Sequence, residues 1–405
     1  MISPSLSPNT DYHDVLQSLR MLISPTQWKE GSALTWVRQW FSQRLAEGEL
    51  AFFNSGRSAL LALLQAFGIK VGDEVLVQAF TCVAVSNSVL WVGAKPVYVD
   101  IDETYNMDPK DAENKITKKT KALIIQHTFG IPAQADKLLS LAKKYNLPVI
   151  EDCAHALGVA YHGKKLGTLG DASFFSFGRD KVVSSVWGGA AYINDKCQIP
   201  NAKWKLREIE KKLQYPSFFW IFQQLLHPIA FSLILPSYNI GVGKAILVAL
   251  QKMKLLSFPV YPEEKSGQQP DEFPKRYPNA LAALLKVQLT KLDQLLQQRR
   301  ACAQQYWTAL KSHPEVQLLP FSKEAGWLRF PIQVDDPEKL LSRAKQSGIL
   351  LGNWYHNTID PTGVDYEAIG YKAGSCPKAE FAARHIINLP TNVIPEEASI
   401  ILSYV

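Results

Sequence analysis

Between residues 51 and 195, short apolar runs alternate with amphipathic ones. GDEVLVQAF (72–80) reads as a strand leaving a turn, VAVSNSVLWVGA (83–94) as a helical run, and KPVYVDI (95–101) as the next strand. Asp108-Pro109 opens a helix with acidic residues in its first turn. KALIIQHTF (121–129) is a buried strand, followed by the amphipathic helix of ADKLLSLAKKYN (135–146). LPVIED, ASFFSF and GAAYIN are further short apolar strands. Alternation at this spacing predicts an α/β fold with a mostly parallel central sheet and helices on both faces.

Residues 196–275 break the rhythm. A lysine- and glutamate-rich helix (203–213) leads into the apolar, aromatic stretch PSFFWIFQQLLHPIAFSLILPSYNI (216–240) and then GVGKAILVALQKMKLL (241–256). From Ala280 a long run keeps helical periodicity to Leu310. WLRFPIQV (327–334) reads as a strand, EKLLSRAKQSG as a helix and ILLGNWY (349–355) as strand-like, which makes a smaller C-terminal α+β domain. The expected divisions are an N-terminal arm with helices (1–50), a large domain (51–195), an insertion (196–275), and a long helix with the small domain (276–405).

The chain has 405 residues, 47% of them hydrophobic, enough for a large core and more than one domain. A formal charge of +7 suits anionic substrates or lipid headgroups, but is too small to argue for nucleic acid. The five cysteines are widely spaced without a CxxC pair, so neither a disulfide framework nor a cysteine-rich zinc site is expected, and no metal is assigned. The start lacks a basic region followed by an apolar run, so a cytoplasmic location is the expectation.

Candidate chemistry concentrates between Pro148 and Asp195. Asp152 ends a strand, where open α/β sheets place ligands, and Lys181 follows a second strand after Ser176-Phe177-Gly178-Arg179-Asp180. A buried carboxylate beside a pyridine nitrogen keeps the ring protonated as an electron sink, and a lysine amine joins the cofactor aldehyde. Ser55-Gly56-Arg57-Ser58 precedes the helical ALLALLQAFG, so backbone N–H groups and hydroxyls offer a phosphate cradle. Singly, each feature has a plain structural reading: a serine cap, a surface lysine, core histidines at 127 and 155.

Together these segments resemble the DegT/StrS family of sugar aminotransferases, pyridoxal-phosphate enzymes of fold type I. The resemblance runs through NSGRSALLALL, GDEVLVQAFTCVAV, GAKPVYVDID, QHTFGIPAQADKLLSLAKKYNLPVIEDCAHALG, GTLGDASFFSFGRDK, GGAAYIND, LAALLKVQLTKLDQLLQQR and CPKAEFAARHIINLP. It implies Lys181 as the imine lysine and Asp152 as the pyridinium partner. His155 falls near the cofactor's phenolic oxygen, Ala154 against its ring, and Ser176, Gly56, Arg57 and Ser58 at phosphate-binding positions. It further implies a homodimer, a nucleotide-linked keto sugar as acceptor and glutamate as donor. The departures lie around these positions: Cys82 where an aromatic residue stacks on the cofactor, Gly178 in place of a histidine, Trp187 in place of an acid. Pro274 stands where a partner-subunit asparagine reaches the phosphate, leaving Lys275 or Arg276 to supply that contact by charge. The lysine at 181 argues against the family's dehydratase branch, which has histidine there.

The apolar stretch from Phe218 to Leu235 lies outside the family pattern. One reading buries it against the body or a subunit interface. The other lays it on a membrane surface through residues 216–250, with Phe218, Phe219, Trp220 and Phe222 in lipid, flanking lysines on anionic headgroups, and a kink at Pro228. The rival functions are an aminotransferase for a lipid-linked or other carbonyl compound, and a cofactor-binding regulator or scaffold.

Overall fold

The computed structural model describes residues 3–4 and 7–405. Its centre is a seven-stranded sheet formed by β1 (Gly48–Phe53), β2 (Glu74–Gln78), β3 (Lys95–Val99), β4 (Thr120–Gln126), β5 (Val149–Asp152), β6 (Ala172–Ser176) and β7 (Gly189–Asn194). The order is β1-β7-β6-β5-β4-β2-β3. The pairs from β6 to β3 are parallel; β7 pairs antiparallel with both β6 and β1. β4 is apolar on both sides because both sides are covered: Ile124 and Ile125 point to opposite faces and both are buried. Parallel alignment brings the carboxyl ends of β4, β5 and β6 to one edge, where the site forms.

Helices α1 (Tyr12–Leu22), α2 (Ser32–Ser42), α3 (Gly56–Phe67), α4 (Val83–Trp91), α5 (Pro109–Lys115), α6 (Ala135–Tyr145) and α7 (Ala202–Lys212) flank this sheet or its N-terminal approach. Asp108 caps α5 as the sequence predicts, its side chain accepting from the Lys110 N–H at 2.9 Å. After α8 (Phe218–Ile234) and α9 (Val242–Lys252), α10 (Asn279–Leu289) and α11 (Leu292–Leu310) lead into the C-terminal lobe. That lobe holds the antiparallel strands β8 (Gln317–Leu318), β9 (Arg329–Gln333) and β10 (Ile386–Pro390), with α12 (Pro337–Gln346), α13 (Pro377–His385) and α14 (Pro395–Leu402). The Asp100 carboxylate, one residue past β3, ties the lobe to the sheet: it accepts the first N–H groups of α13, from Lys378 at 3.0 Å and Ala379 at 2.8 Å. The Tyr98 hydroxyl adds a bond to the Ile369 carbonyl at 3.0 Å.

One predicted strand is absent. Residues 349–355 form no strand but isolated bridges, one of them between Gly352 and Asn388 with N–H···O distances of 2.9 and 2.8 Å in the two directions. Beyond it the chain leaves the sheet edge and carries Trp354 and Tyr355 into the cavity described below.

The apolar stretch forms one helix, α8, capped by the Ser217 hydroxyl on the Trp220 N–H and continuing through Pro228. It packs on α1, α9 and α10 of its own chain. Trp220 is therefore not a lipid-facing residue: it is 5% exposed, with its ring 6.3 Å from that of Trp187. Phe218 and Phe219 do face outward, at 51% and 53% exposure. Among the described residues, no helix is long and apolar enough to cross a membrane. Trp220→Ala is expected to destabilise the chain by roughly 3 kcal/mol through loss of buried ring contacts. Denaturant unfolding reads this, and an unchanged midpoint would show that the ring's burial contributes nothing.

Candidate active site

Asp152 ends β5 and is 4% exposed. Burial pushes its carboxyl up to about 6, opposed by the Ala154 N–H, which donates to Oδ1 at 2.9 Å, and by the charges of Lys181 and His127. Lys181 lies beyond β6 in a tight turn, its N–H donating to the Gly178 carbonyl at 3.2 Å. The N-terminal arm fixes that turn from behind. The Asn9 amide donates to the carbonyls of Lys181 (2.7 Å) and Val182 (3.1 Å), and Arg299 donates to Asn9 Oδ1 (2.8 Å) and the Val182 carbonyl (3.1 Å).

The Lys181 amine meets His155 Nε2 at 3.0 Å and lies 4.7 Å from the centre of the Trp354 ring. Burial, then the charges of Lys181 and Arg329, hold His155 well below the usual histidine range, so the ring is neutral near pH 7. Its Nδ1 accepts from the Phe129 N–H at 3.2 Å. Hydrogen bonding thereby assigns the proton to Nε2. Nε2 is thus the ring nitrogen turned to the Lys181 amine. His127, by contrast, is absorbed by the core. Its Nδ1 accepts from the Ala133 N–H at 3.1 Å, and its Nε2 stands 3.3 Å from Glu151, whose carboxylate takes three backbone N–H groups from Gly167, Leu169 and Gly170.

Asp152, Ala154, His155, Ser176 and Lys181 line a single cavity of about 560 Å³ with Ser55, Gly56, Arg57 and Cys82. Ser55 caps α3, accepting from the Ser58 N–H at 3.1 Å. Close approach explains two glycines. A Cβ on Gly56 would stand 2.9 Å from Ser176 Cβ, and one on Gly189 would stand 2.4 Å from the Ser55 carbonyl oxygen. The start of α3 is thus pressed against Ser176, joining backbone N–H groups and hydroxyls at one end of the cavity. Ser58 turns away from the cavity wall, donating to Asn54 Oδ1 at 2.9 Å. Arg57 forms a buried ion pair with Glu264, with its guanidinium 5.0 Å from the centre of the Trp187 ring. Arg276 is not part of this wall; it covers the Tyr215 ring at 4.4 Å, and its N–H donates to the Gln214 carbonyl at 2.9 Å.

Residue spacing did not point to several other wall residues. Trp354, Tyr355 and Asp360 come from the C-terminal lobe, and Phe231, Leu247 and Phe258 from the segment around α8 and α9. Arg179, to which the sequence gives no role in the run between Ser176 and Lys181, is another wall residue.

The donor set suits pyridoxal phosphate: a buried carboxylate for a ring nitrogen, an amine for an aldehyde, and a helix start with hydroxyls for a phosphate. The comparisons agree. A family model for the DegT/DnrJ/EryC1/StrS aminotransferases matches residues 10–212 and 265–400. The chain belongs to this family. Its members are pyridoxal-phosphate-dependent, and the mostly parallel sheet is that of their solved structures. GDP-perosamine synthase of Escherichia coli O157:H7 is 46% identical over 144 residues, covering 35% of this chain and 40% of that enzyme. The pleiotropic regulatory protein of Geobacillus stearothermophilus is 30% identical over 342 residues, 83% of this chain and 78% of its own. The structure of S. venezuelae DesV, in complex with a ketimine intermediate, superposes with a TM-score of 0.71 at 25% identity over 97% of this chain and 93% of that one. The match to the perosamine synthase thus spans less than half of that enzyme. The DegT/StrS model leaves residues 213–264 unmatched between its two blocks.

Proposed function

We propose that this DegT/StrS protein is an aminotransferase that moves an amino group from glutamate to the ketone of a nucleotide-linked sugar, acting as a homodimer. The observation that carries this reading is the convergence of Asp152 and the His155–Lys181 pair, 3.0 Å apart, on one cavity. Bound pyridoxal phosphate supplies an electron sink for proton movement at the carbon bearing the nitrogen. The chain supplies the rest. Asp152 sets a negative charge against the ring nitrogen. Ala154 and Cys82 would flank the ring, and Ser55, Gly56 and Ser176 would hold the phosphate. The Lys181 amine takes a proton from the donor amino acid and returns one to the acceptor, and His155 keeps that amine oriented between the two transfers.

Mixing the purified yellow protein with glutamate is expected to bleach its visible absorption. A matching keto sugar nucleotide should then restore it. Failure of glutamate, and of every other amino acid tried, to change the spectrum would overturn the reading. The same assay separates it from a purely regulatory role such as the name of the Geobacillus relative suggests; a regulator needs neither Lys181 nor Asp152.

Assembly as a dimer would bring Lys275 or Arg276 of one subunit to the phosphate of the other. It would also cover part of the apolar surface between residues 213 and 264, where Leu233, Ile240, Val242 and Met253 are exposed. Light scattering is expected to report a dimer. A monomer with full activity would refute the shared site, and flotation with anionic liposomes would reassign the apolar surface to the bilayer.

A further inference from the structure

Residues 213–264, which the family model passes over, close the cavity that contains Lys181. Two arginines of the catalytic body grip the same short turn of this segment. Arg57 Nη2 donates to the Pro259 carbonyl at 2.9 Å. Arg179 Nη2 donates to the Ser257 carbonyl at 2.6 Å and to the Ser257 hydroxyl at 2.5 Å. That hydroxyl also accepts from Trp187 Nε1 at 3.1 Å and donates to Gln224 Oε1 at 2.8 Å, so its bonding capacity is used up.

The two guanidiniums differ in what balances their charge. Arg57 is neutralised by Glu264. Arg179 has no carboxylate within 4 Å among the described residues, and its neighbour Asp180 is turned towards Arg329 at 3.6 Å. Arg179 Nε is buried without a partner. His227 on the same wall adds no second positive charge, because burial, then the Arg179 charge, holds it well below its usual range. An unbalanced cation with a spare buried donor on the wall of a cavity lacks an anion. The site lies at the phosphate end, because Arg57, in the first turn of α3, holds the turn that Arg179 holds, and Gly56 beside it packs on Ser176.

We propose that Arg179 binds a phosphate group of a ligand in this cavity, and that residues 213–264 serve to aim it through Ser257. The ligand phosphate is either the monoester of the cofactor or the diphosphate of the sugar nucleotide; this part rests on the function proposed above. Trp187, which departs from the family pattern, holds the same serine and belongs to the same device.

The test uses the full-length apoprotein and three probes: pyridoxal phosphate, phosphate-free pyridoxal, and a nucleoside diphosphate (UDP or GDP). Loss of a charge-assisted hydrogen bond predicts that Arg179→Gln weakens at least one phosphate probe by about 10- to 100-fold. Arg179→Lys should recover part of the affinity, and pyridoxal should bind as before. Loss confined to pyridoxal phosphate assigns the cofactor as the source; loss confined to the nucleotide assigns the substrate. Ser257→Ala keeps the charge and the carbonyl contact but removes the hydroxyl that fixes the guanidinium, and a several-fold weakening of the same probe is expected; this variant judges the idea if Arg179→Gln does not fold. Wild-type affinity for both phosphate probes, or equal loss for pyridoxal and pyridoxal phosphate, overturns the proposal. If wild type binds neither form of the cofactor, the proposed function falls, while the nucleotide probe still tests Arg179.

Discussion

Lys181→Ala is expected to lower transamination by a factor of order 10⁴ or more, because one change removes both the covalent attachment and the proton carrier. The fold should survive. The turn around residue 181 is held through its backbone carbonyl by Asn9, and the side chain's polar contact is with His155. Single-turnover absorbance with glutamate would measure the loss. In the wild type, borohydride should fix the cofactor to one lysine, and peptide mass mapping should place it at residue 181. A label on Lys265, another lysine of the cavity wall, would refute the assignment.

Asp152→Asn should leave the cofactor bound and reduce turnover by roughly 10²- to 10⁴-fold, since an amide cannot hold the ring nitrogen protonated. Near-normal turnover would make the carboxylate structural. The apoprotein gives a second readout. Burial raises the folded-state pKa to about 6 from an ordinary value of 3.8. A raised acid favours the folded state when protonated, so burying Asp152 costs nothing extra below about pH 4. The cost grows between pH 4 and 6 and is complete above that. The asparagine variant of the apoprotein should therefore match wild type at pH 4 and exceed it at pH 8, by roughly 1–3 kcal/mol. Lower stability of the variant at pH 8 would mean that the carboxylate is compensated in the folded chain.

Strands that run between two helical layers were legible, because burial on both faces leaves an apolar run with little ambiguity: Leu123, Ile124 and Ile125 in β4 are such a case. The Asp152 and Lys181 segments stood out for a related reason, as each lies just past one of those runs. Position within the fold was harder to read where the partners are distant in the chain. The aromatic start of α8 has the composition of a membrane-facing surface, and only the proximity of α1, α10 and Trp187 shows that Trp220 turns inward. ILLGNWY has the residues of a strand, but after Gly352 it leaves the sheet for the cavity. Arg179 carried no signal. Its importance comes from a serine 78 positions away and from the absence of an acid nearby.

The Asp100 clamp has a thermodynamic consequence. Its carboxylate receives the start of α13, so releasing the C-terminal lobe would give up two charge-assisted hydrogen bonds at once. Such a lobe has little freedom to open alone. Its core amides, those of β10 above all, should exchange with deuterium only through global unfolding, at rates that follow the stability of the whole chain. Asp100→Ala would decouple them, and the lobe would then exchange at lower denaturant than the central sheet.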